Sequence, residues 1–177
     1  MNYSYIAFLR AINVGGRVVK MELLRQWFSE QGFTNVSTFI ASGNVLFCSD
    51  NPNTEQLTTQ IEQKLKTVLG YDVETFIRTR DEVIDIARYK PFADSVLKTA
   101  LALNVAFIKK PLDVAQIQVL MGLSTDIDHF HTHQREVYWL CEKKQSESKF
   151  SNVVFEKAIK TKATFRGMNT VRKIIGL

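Results

Sequence analysis

The sequence predicts an α+β protein built from two tandem copies of one βαββαβ unit. Three observations lead there: apolar residues switch between strand and helix spacing in that order, the order recurs in the second half, and local wording recurs with it. The units are expected over residues 1–92 and 93–177, each with a trailing helix.

The first unit opens on Tyr3 to Ala11, a β-branched, aromatic and apolar run that reads as a strand entering the loop Asn13-Val14-Gly15-Gly16. Met21 to Gln31 then carries Leu23, Leu24, Trp27 and Phe28 at helical spacing. Val36 to Ala41 and Val45 to Cys48 are strand-like and joined by Ser42-Gly43-Asn44, a sequence suited to a tight hairpin or a bulge. Thr54 to Leu69 places Leu57, Ile61, Leu65 and Val68 on one face, and Gly70 is positioned to stop that helix in a left-handed conformation. Val73 to Arg78 reads as a fourth strand and Asp81 to Tyr89 as a helix that ends before Pro91. Phe92 to Thr99 shows no period and is expected to be a linker.

The second unit repeats the order. Ala102 to Lys110 reads as a strand, Val114 to Leu123 as a helix, Ile127 to His133 with Val137 to Cys141 as a hairpin, Phe150 to Ile159 as a helix, and Ala163 to Arg166 as a strand before a last helix. Ile6-Ala-Phe-Leu-Arg10 is echoed by Val105-Ala-Phe-Ile-Lys109, and Thr75-Phe76 before Arg78 by Thr164-Phe165-Arg166. A third echo joins Ile61-Glu-Gln-Lys-Leu-Lys66 to Phe155-Glu-Lys-Ala-Ile-Lys160. Echoes in chain order indicate internal duplication.

A βαββαβ unit is the ferredoxin-like motif, in which right-handed crossovers make the first and second strands parallel. The loop after the first strand and the hairpin after the second then share one edge. Loop 10–20 and turn 42–44 are therefore expected to be neighbours, as are Lys109 and Lys110 with Gln134 and Arg135, whereas Arg80 and Arg166 fall at the opposite edges of their units.

The chain has 177 residues, 45% of them hydrophobic and 23% charged, which is ordinary for a packed domain. It has no apolar run near the ~20 residues that cross a bilayer, and no cationic leader precedes Arg10, so no membrane role is expected. Cys48 and Cys141 are too few and too distant for a disulfide framework, which points to the cytoplasm. The formal charge of +5 is uneven: residues 143–177 hold nine Lys and Arg against two Glu, net +7, and the rest is net −2. Such asymmetry can mark a polyanion contact, but spaced lysines on a solvated helix face are the commoner explanation.

The segments Arg10-Ala-Ile-Asn-Val-Gly-Gly16 and Ser42-Gly-Asn-Val-Leu-Phe47, with a helix between them, resemble the signature of the bacterial family called domain of unknown function 1697. Ile77-Arg-Thr-Arg80 leading to Pro91-Phe92, and Ser148-Lys149 with Asn152, extend the resemblance. The family's Thr-Arg-Asn-Trp-like ending is altered here, since Phe165-Arg-Gly-Met-Asn-Thr-Val171 lacks the tryptophan. The resemblance implies a duplicated α+β fold and brings no established activity.

The loop from Arg10 to Lys20 is the leading candidate site. It leaves a strand and enters a helix, so free N–H groups, a glycine-permitted nest at Gly15 and Gly16, and the cations Arg10, Arg17 and Lys20 suit an anion, with Asn13 beside them. It is neither a Walker loop nor G-x-G-x-x-G. Ser42, Gly43 and Asn44 join the candidate through the expected adjacency, although glycines and Asn13 also serve plain turns. Ser42 lacks a nucleophile elbow, and no histidine precedes residue 129 to act as its base.

Arg78, Arg80 and Arg166 are secondary anion candidates, with salt bridges as the alternative use. His129, His131 and His133 share one strand face and make a weak metal candidate without an evident third ligand. Asp126 and Asp128 have the other parity, and turn chemistry explains them better than paired acid catalysis.

Three functions stay open at this point. The first is binding of an anionic small molecule or nucleotide at loop 10–20 and turn 42–44, with or without catalysis and with no cofactor expected. The second is an RNA-binding module using Tyr138, Trp139 and the basic C-terminal region, although the RNP signature is absent. The third is a structural or interaction protein with no ligand. Oligomeric state is not legible in the sequence.

Overall fold

A computed structural model describes residues 2–13, 15–16, 18–40 and 43–177, which divide into two compact units, Met1–Ile86 and Ala87–Leu177. The fold is mixed α and β, with two four-stranded antiparallel sheets and seven α-helices among the described residues.

In the first unit, β1 (Tyr3–Leu9), β2 (Thr34–Phe39), β3 (Asn44–Ser49) and β4 (Thr75–Thr79) form a sheet of order β2-β3-β1-β4. All its neighbouring pairs are antiparallel. β1 sits centrally because it is apolar at both parities, and Tyr5, Ala7 and Leu9 turn to the face covered by helices α1 (Met21–Ser29) and α2 (Thr54–Leu69). Leu24 and Phe28 of α1 and Leu57, Ile61 and Leu65 of α2 fill that face, each fully buried. Phe28, Phe33 and Phe47 pack with ring centroids 4.7–5.9 Å apart. Each such buried side chain contributes about 1.5–3 kcal/mol of transfer free energy. The opposite parity, Ile6, Phe8, Phe76 and Arg78, is buried as well.

Helix ends follow local chemistry. Asn53 Oδ1 accepts from the N–H groups of Glu55 and Gln56 at 3.0 and 3.1 Å and starts α2. Gly70, at φ 78°, ends it in the left-handed region that the sequence predicts. Helix α3 (Arg80–Arg88) follows β4 without a loop. Because Thr79 lies opposite Tyr5 and Thr75 opposite Leu9, Arg80 falls at the end of the sheet away from the Gly-Gly loop.

The segment expected to be a linker holds helix α4 (Asp94–Thr99), which is a correction. Its single turn and a half is too short to show a period, and none of its residues is fully buried. The Ala93 carbonyl accepts from both Val96 and Leu97 at 3.0 Å to start it.

The second unit has β5 (Ala102–Phe107), α5 (Val114–Met121), β6 (Asp128–His133), β7 (Glu136–Cys141), α6 (Asn152–Ile159), β8 (Thr164–Gly167) and α7 (Met168–Ile175). Its sheet order is β6-β7-β5-β8, again with antiparallel neighbours. A 3-10 turn at Gln145–Glu147, not predicted from the sequence, precedes α6. Ala106, Phe130, Val137, Trp139, Phe150, Phe155 and Ile159 form the core beneath α5 and α6. No helix is long and apolar enough to cross a membrane among the described residues.

Candidate functional site

β1 delivers the chain into loop 10–20 at one end of the first sheet. The N–H of Arg10 donates to the Glu74 carbonyl, and the N–H of Leu9 donates to the Gly43 carbonyl, both at 2.8 Å. The second bond fixes the hairpin turn beside the loop, so the adjacency expected from topology is present. Gly43 itself is packed: at φ 74°, an added Cβ would lie 2.7 Å from Ile12 Cγ2 and 3.1 Å from Leu9 Cβ. Only glycine suits that conformation and that clearance.

Within the loop, Asn13 Oδ1 accepts from the Val19 N–H at 2.7 Å and ties the two sides together. Gly15 and Gly16 form the exposed crest at φ 69° and 82°, with open space where a Cβ would stand. Lys20 is exposed and precedes α1 with no side-chain cap to the helix amides. At that helix start the Glu22 carboxyl is held below its usual range by its own backbone N–H, with Arg25 and Lys20 adding to the effect.

The structure therefore sorts the candidates. Arg10, Gly15, Gly16 and Lys20 reach solvent around one loop. Asn13 and Gly43 hold the loop's shape, and Asn44, fully buried, donates from Nδ2 to the Phe39 carbonyl at 3.1 Å. Arg17 and Ser42 lie outside the described residues. In the second unit the Ile108 N–H donates to the Arg135 carbonyl at 3.2 Å, which sets Lys109 beside that hairpin as predicted.

Arg78 and Arg166 are 1% and 9% exposed and sit inside their sheets. Each donates to the carbonyl of the preceding residue, Ile77 at 2.9 Å and Phe165 at 2.8 Å, and Arg166 also reaches Thr164 Oγ1 at 2.7 Å. Burial pushes Arg166 down to about 10, still charged at neutral pH. Arg80 is exposed at the first position of α3.

His129, His131 and His133 do share one face of β6, opposite Leu140, Tyr138 and Glu136. His133 stacks on Tyr89 at 4.2 Å, His131 Nε2 and the Tyr89 hydroxyl share a hydrogen bond at 2.8 Å, and His129 meets Glu142 at 2.9 Å. Among the described residues no three His, Cys, Asp or Glu side chains are grouped to hold a metal. The aromatics of the RNA reading are interior: Tyr138 is 0% and Trp139 7% exposed, so neither offers a stacking platform. Of the nine cations after residue 142, Arg166 is buried and the others are spread over solvent-exposed positions.

The sequence reading missed the role of Asp128. Its buried carboxylate accepts from Trp139 Nε1 at 2.8 Å, Ser148 Oγ at 2.8 Å and Thr125 Oγ1 at 3.1 Å. Ser148 Oγ also accepts from the Phe150 N–H at 2.9 Å and so ties the segment before α6 to the hairpin. An acid beside strand-borne tryptophan and a downstream serine was the only available signal.

The model of the family described as "Protein of unknown function (DUF1697)" matches residues 2–138. The chain belongs to this family. The DUF1697 match takes in the first unit with loop 10–20 and turn 42–44, and ends within β7 at Tyr138; Ser148, Asn152 and Arg166 lie beyond it. No curated protein matches the chain. Among solved structures, a conserved bacterial protein from Streptococcus pneumoniae is similar, with a TM-score of 0.73 at 22% identity over 99% of this chain and 98% of that one. At that identity the likeness concerns the fold.

Proposed function

We propose that this DUF1697 protein binds an anionic small molecule or nucleotide on loop 10–20 beside turn 42–44, on a scaffold of two tandem ferredoxin-like units derived by duplication. One observation carries the site: the Leu9–Gly43 hydrogen bond sets the turn against a loop whose exposed Gly15–Gly16 crest leads to the start of α1, which the Lys20 side chain does not cap. A helix terminus supplies roughly 0.3–1 kcal/mol, and even millimolar affinity needs about 4 kcal/mol. Lys20 and Arg10, at the two ends of the loop, would supply the rest.

Melting temperatures measured across a panel of nucleotides and phosphorylated metabolites test the reading. A ligand that binds only the folded chain raises the midpoint as its concentration rises. Lys20→Ala and Arg10→Ala are expected to diminish that rise; a flat response over the whole panel would count against the site.

The matching strand orders, β2-β3-β1-β4 and β6-β7-β5-β8, support the duplication. Residues 1–92 and 93–177 expressed separately are expected to unfold cooperatively by circular dichroism. The free thiols of Cys48 and Cys141 support a reducing, cytoplasmic location.

A further inference from the structure

β6 ends the second sheet, so one side of the strand pairs with β7 and the other has no neighbouring strand. In an antiparallel pair, alternate residues turn both backbone groups toward the partner strand. The Glu142 N–H donates to the Ile127 carbonyl at 2.9 Å, and with His133 opposite Glu136 this parity aims His129, His131 and His133 at β7. Asp128, Phe130 and Thr132 are aimed outward. Asp128 is occupied there: its N–H donates to Thr125 Oγ1 and its carbonyl accepts from the Thr125 N–H, both at 3.0 Å. Among the described residues nothing bonds to the N–H or the carbonyl of Phe130 or Thr132.

An open edge is a template for another strand, and folded proteins blunt theirs. The first sheet does so. β2, at the same place in its strand order, has a register shift between Thr34 and Ser37, with Asn35 at φ 50°, and Arg25 Nη1 of α1 donates to Thr38 Oγ1 at 2.8 Å beside it. β6 has an unbroken register and contains no lysine, arginine or proline.

The helix above β6 is open on the same side. α5 packs over β6, whereas α6 lies toward β8, where Phe155 meets Phe165 with ring centroids 5.6 Å apart. Gln116 Nε2 donates to the Ile159 carbonyl at 2.9 Å and marks the flank of α5 that faces α6. Val114, Ile117 and Met121, at i, i+3 and i+7, form a ridge on the flank turned away from α6, above the free edge. Val114 is 72% and Met121 38% exposed. Val114 to Leu123 contains no charged residue, whereas α1 carries Glu22 and Arg25.

We propose that the β6 edge and the α5 ridge form a two-fold interface with a second copy of this chain, joining two four-stranded sheets into one continuous sheet. Phe130 of each copy then faces Thr132 of the partner subunit, the one two-fold register that uses all four open groups. Facing side chains of an antiparallel pair share a side of the sheet, so both helix layers lie together and the two ridges meet. A free peptide fits less well, because ordering it costs about as much as so short a ladder returns, while a folded copy brings an ordered strand and a matching ridge. Self-pairing sets each patch against itself, and a strip without charges meets no like charge. This interface is separate from loop 10–20 and does not depend on it.

Sedimentation of the full chain over a concentration series, with amide hydrogen exchange at its two ends, tests the proposal. A reversible monomer–dimer equilibrium is expected, in which the Phe130 and Thr132 amides become protected as the dimer forms while those of His129 and His131 are protected throughout. Thr132→Pro removes an N–H that bonds nothing within the chain, a change that edge strands tolerate, and is expected to weaken association about tenfold or more. Val114→Lys starts from an exposed position, which keeps the fold, and sets two cations against each other at the ridge; a similar loss is expected. Val153→Lys on α6, at a position 74% exposed, is the control and is expected to associate like the wild type. A wild-type chain that stays monomeric, with both outward amides exchanging freely, would overturn the proposal and leave the edge to a strand of another protein. Association that Thr132→Pro and Val114→Lys leave unchanged, or that Val153→Lys weakens equally, would overturn it too.

Discussion

The indole N–H of Trp139 donates to the buried carboxylate of Asp128 at 2.8 Å, across the β6–β7 hairpin. Asp128 lies opposite Cys141 and Phe130 opposite Trp139, so acid and indole are diagonal neighbours on the core face. The Ser148 and Thr125 hydroxyls also donate to it. Asp128→Ala leaves these donors without their acceptor and is expected to cost about 2–4 kcal/mol. Ser148→Ala, which removes one donor and keeps the indole bond, is expected to cost about 1 kcal/mol. Urea unfolding followed by tryptophan fluorescence measures both; equal costs would show that Asp128 acts through Ser148 alone.

Glycine positions in the candidate site separate by what surrounds them. Gly43 combines a left-handed backbone with a Cβ clearance of 2.7 Å to Ile12, whereas Gly15 and Gly16 share the backbone preference and face open space. Gly43→Ala therefore adds overpacking to strain and is expected to cost about 2–4 kcal/mol. Gly16→Ala carries the strain alone, about 1–2 kcal/mol. Chemical denaturation of the two variants side by side decides it, since similar losses would mean that Ile12 yields freely.

The cysteines are expected to differ in reactivity. Cys141 is fully buried, and burial raises its thiol pKa. Cys48 is half-buried on β3, with its sulfur near the Asn35 amide at 3.7 Å. Under native conditions a small disulfide reagent is expected to modify Cys48 alone, and Cys141 only on unfolding. Peptide mapping after brief labelling reads this directly, and rapid modification of Cys141 in the folded chain would contradict it.

Much of the architecture was legible because it rests on local periodicity. β1 and α2 show their apolar faces over seven and sixteen residues, and Gly70 marks a helix end by its own conformational freedom. Helix α4 was not legible, since six residues without a buried face carry no periodic signal. In the candidate site, topology was enough to place Gly43 beside the strand leading to Gly15. It did not reveal that Asn44 faces inward or that Arg78 and Arg166 are interior, because burial of a polar side chain depends on neighbours far along the chain. Asp128 escaped for the same reason: its partners Trp139 and Ser148 lie 11 and 20 residues away.

The histidine face of β6 gives the second unit a pH response of definite sign. Burial, with His133 adding to it, lowers the His131 pKa below the ordinary value of about 6.5. The neutral ring, bonded to the Tyr89 hydroxyl at 2.8 Å, is the form that the fold favours. Between the lowered folded value and about 6.5 the unfolded chain binds more protons at this position, so stability rises with pH there. On acidification the contribution is complete above about pH 6.5 and is lost as pH falls below it toward the folded value. His131→Gln, which cannot titrate, is expected to flatten the fall in melting temperature between about pH 7 and pH 5. Thermal denaturation of both proteins across that range tests it, and an equally steep fall in the variant would assign the response to other groups.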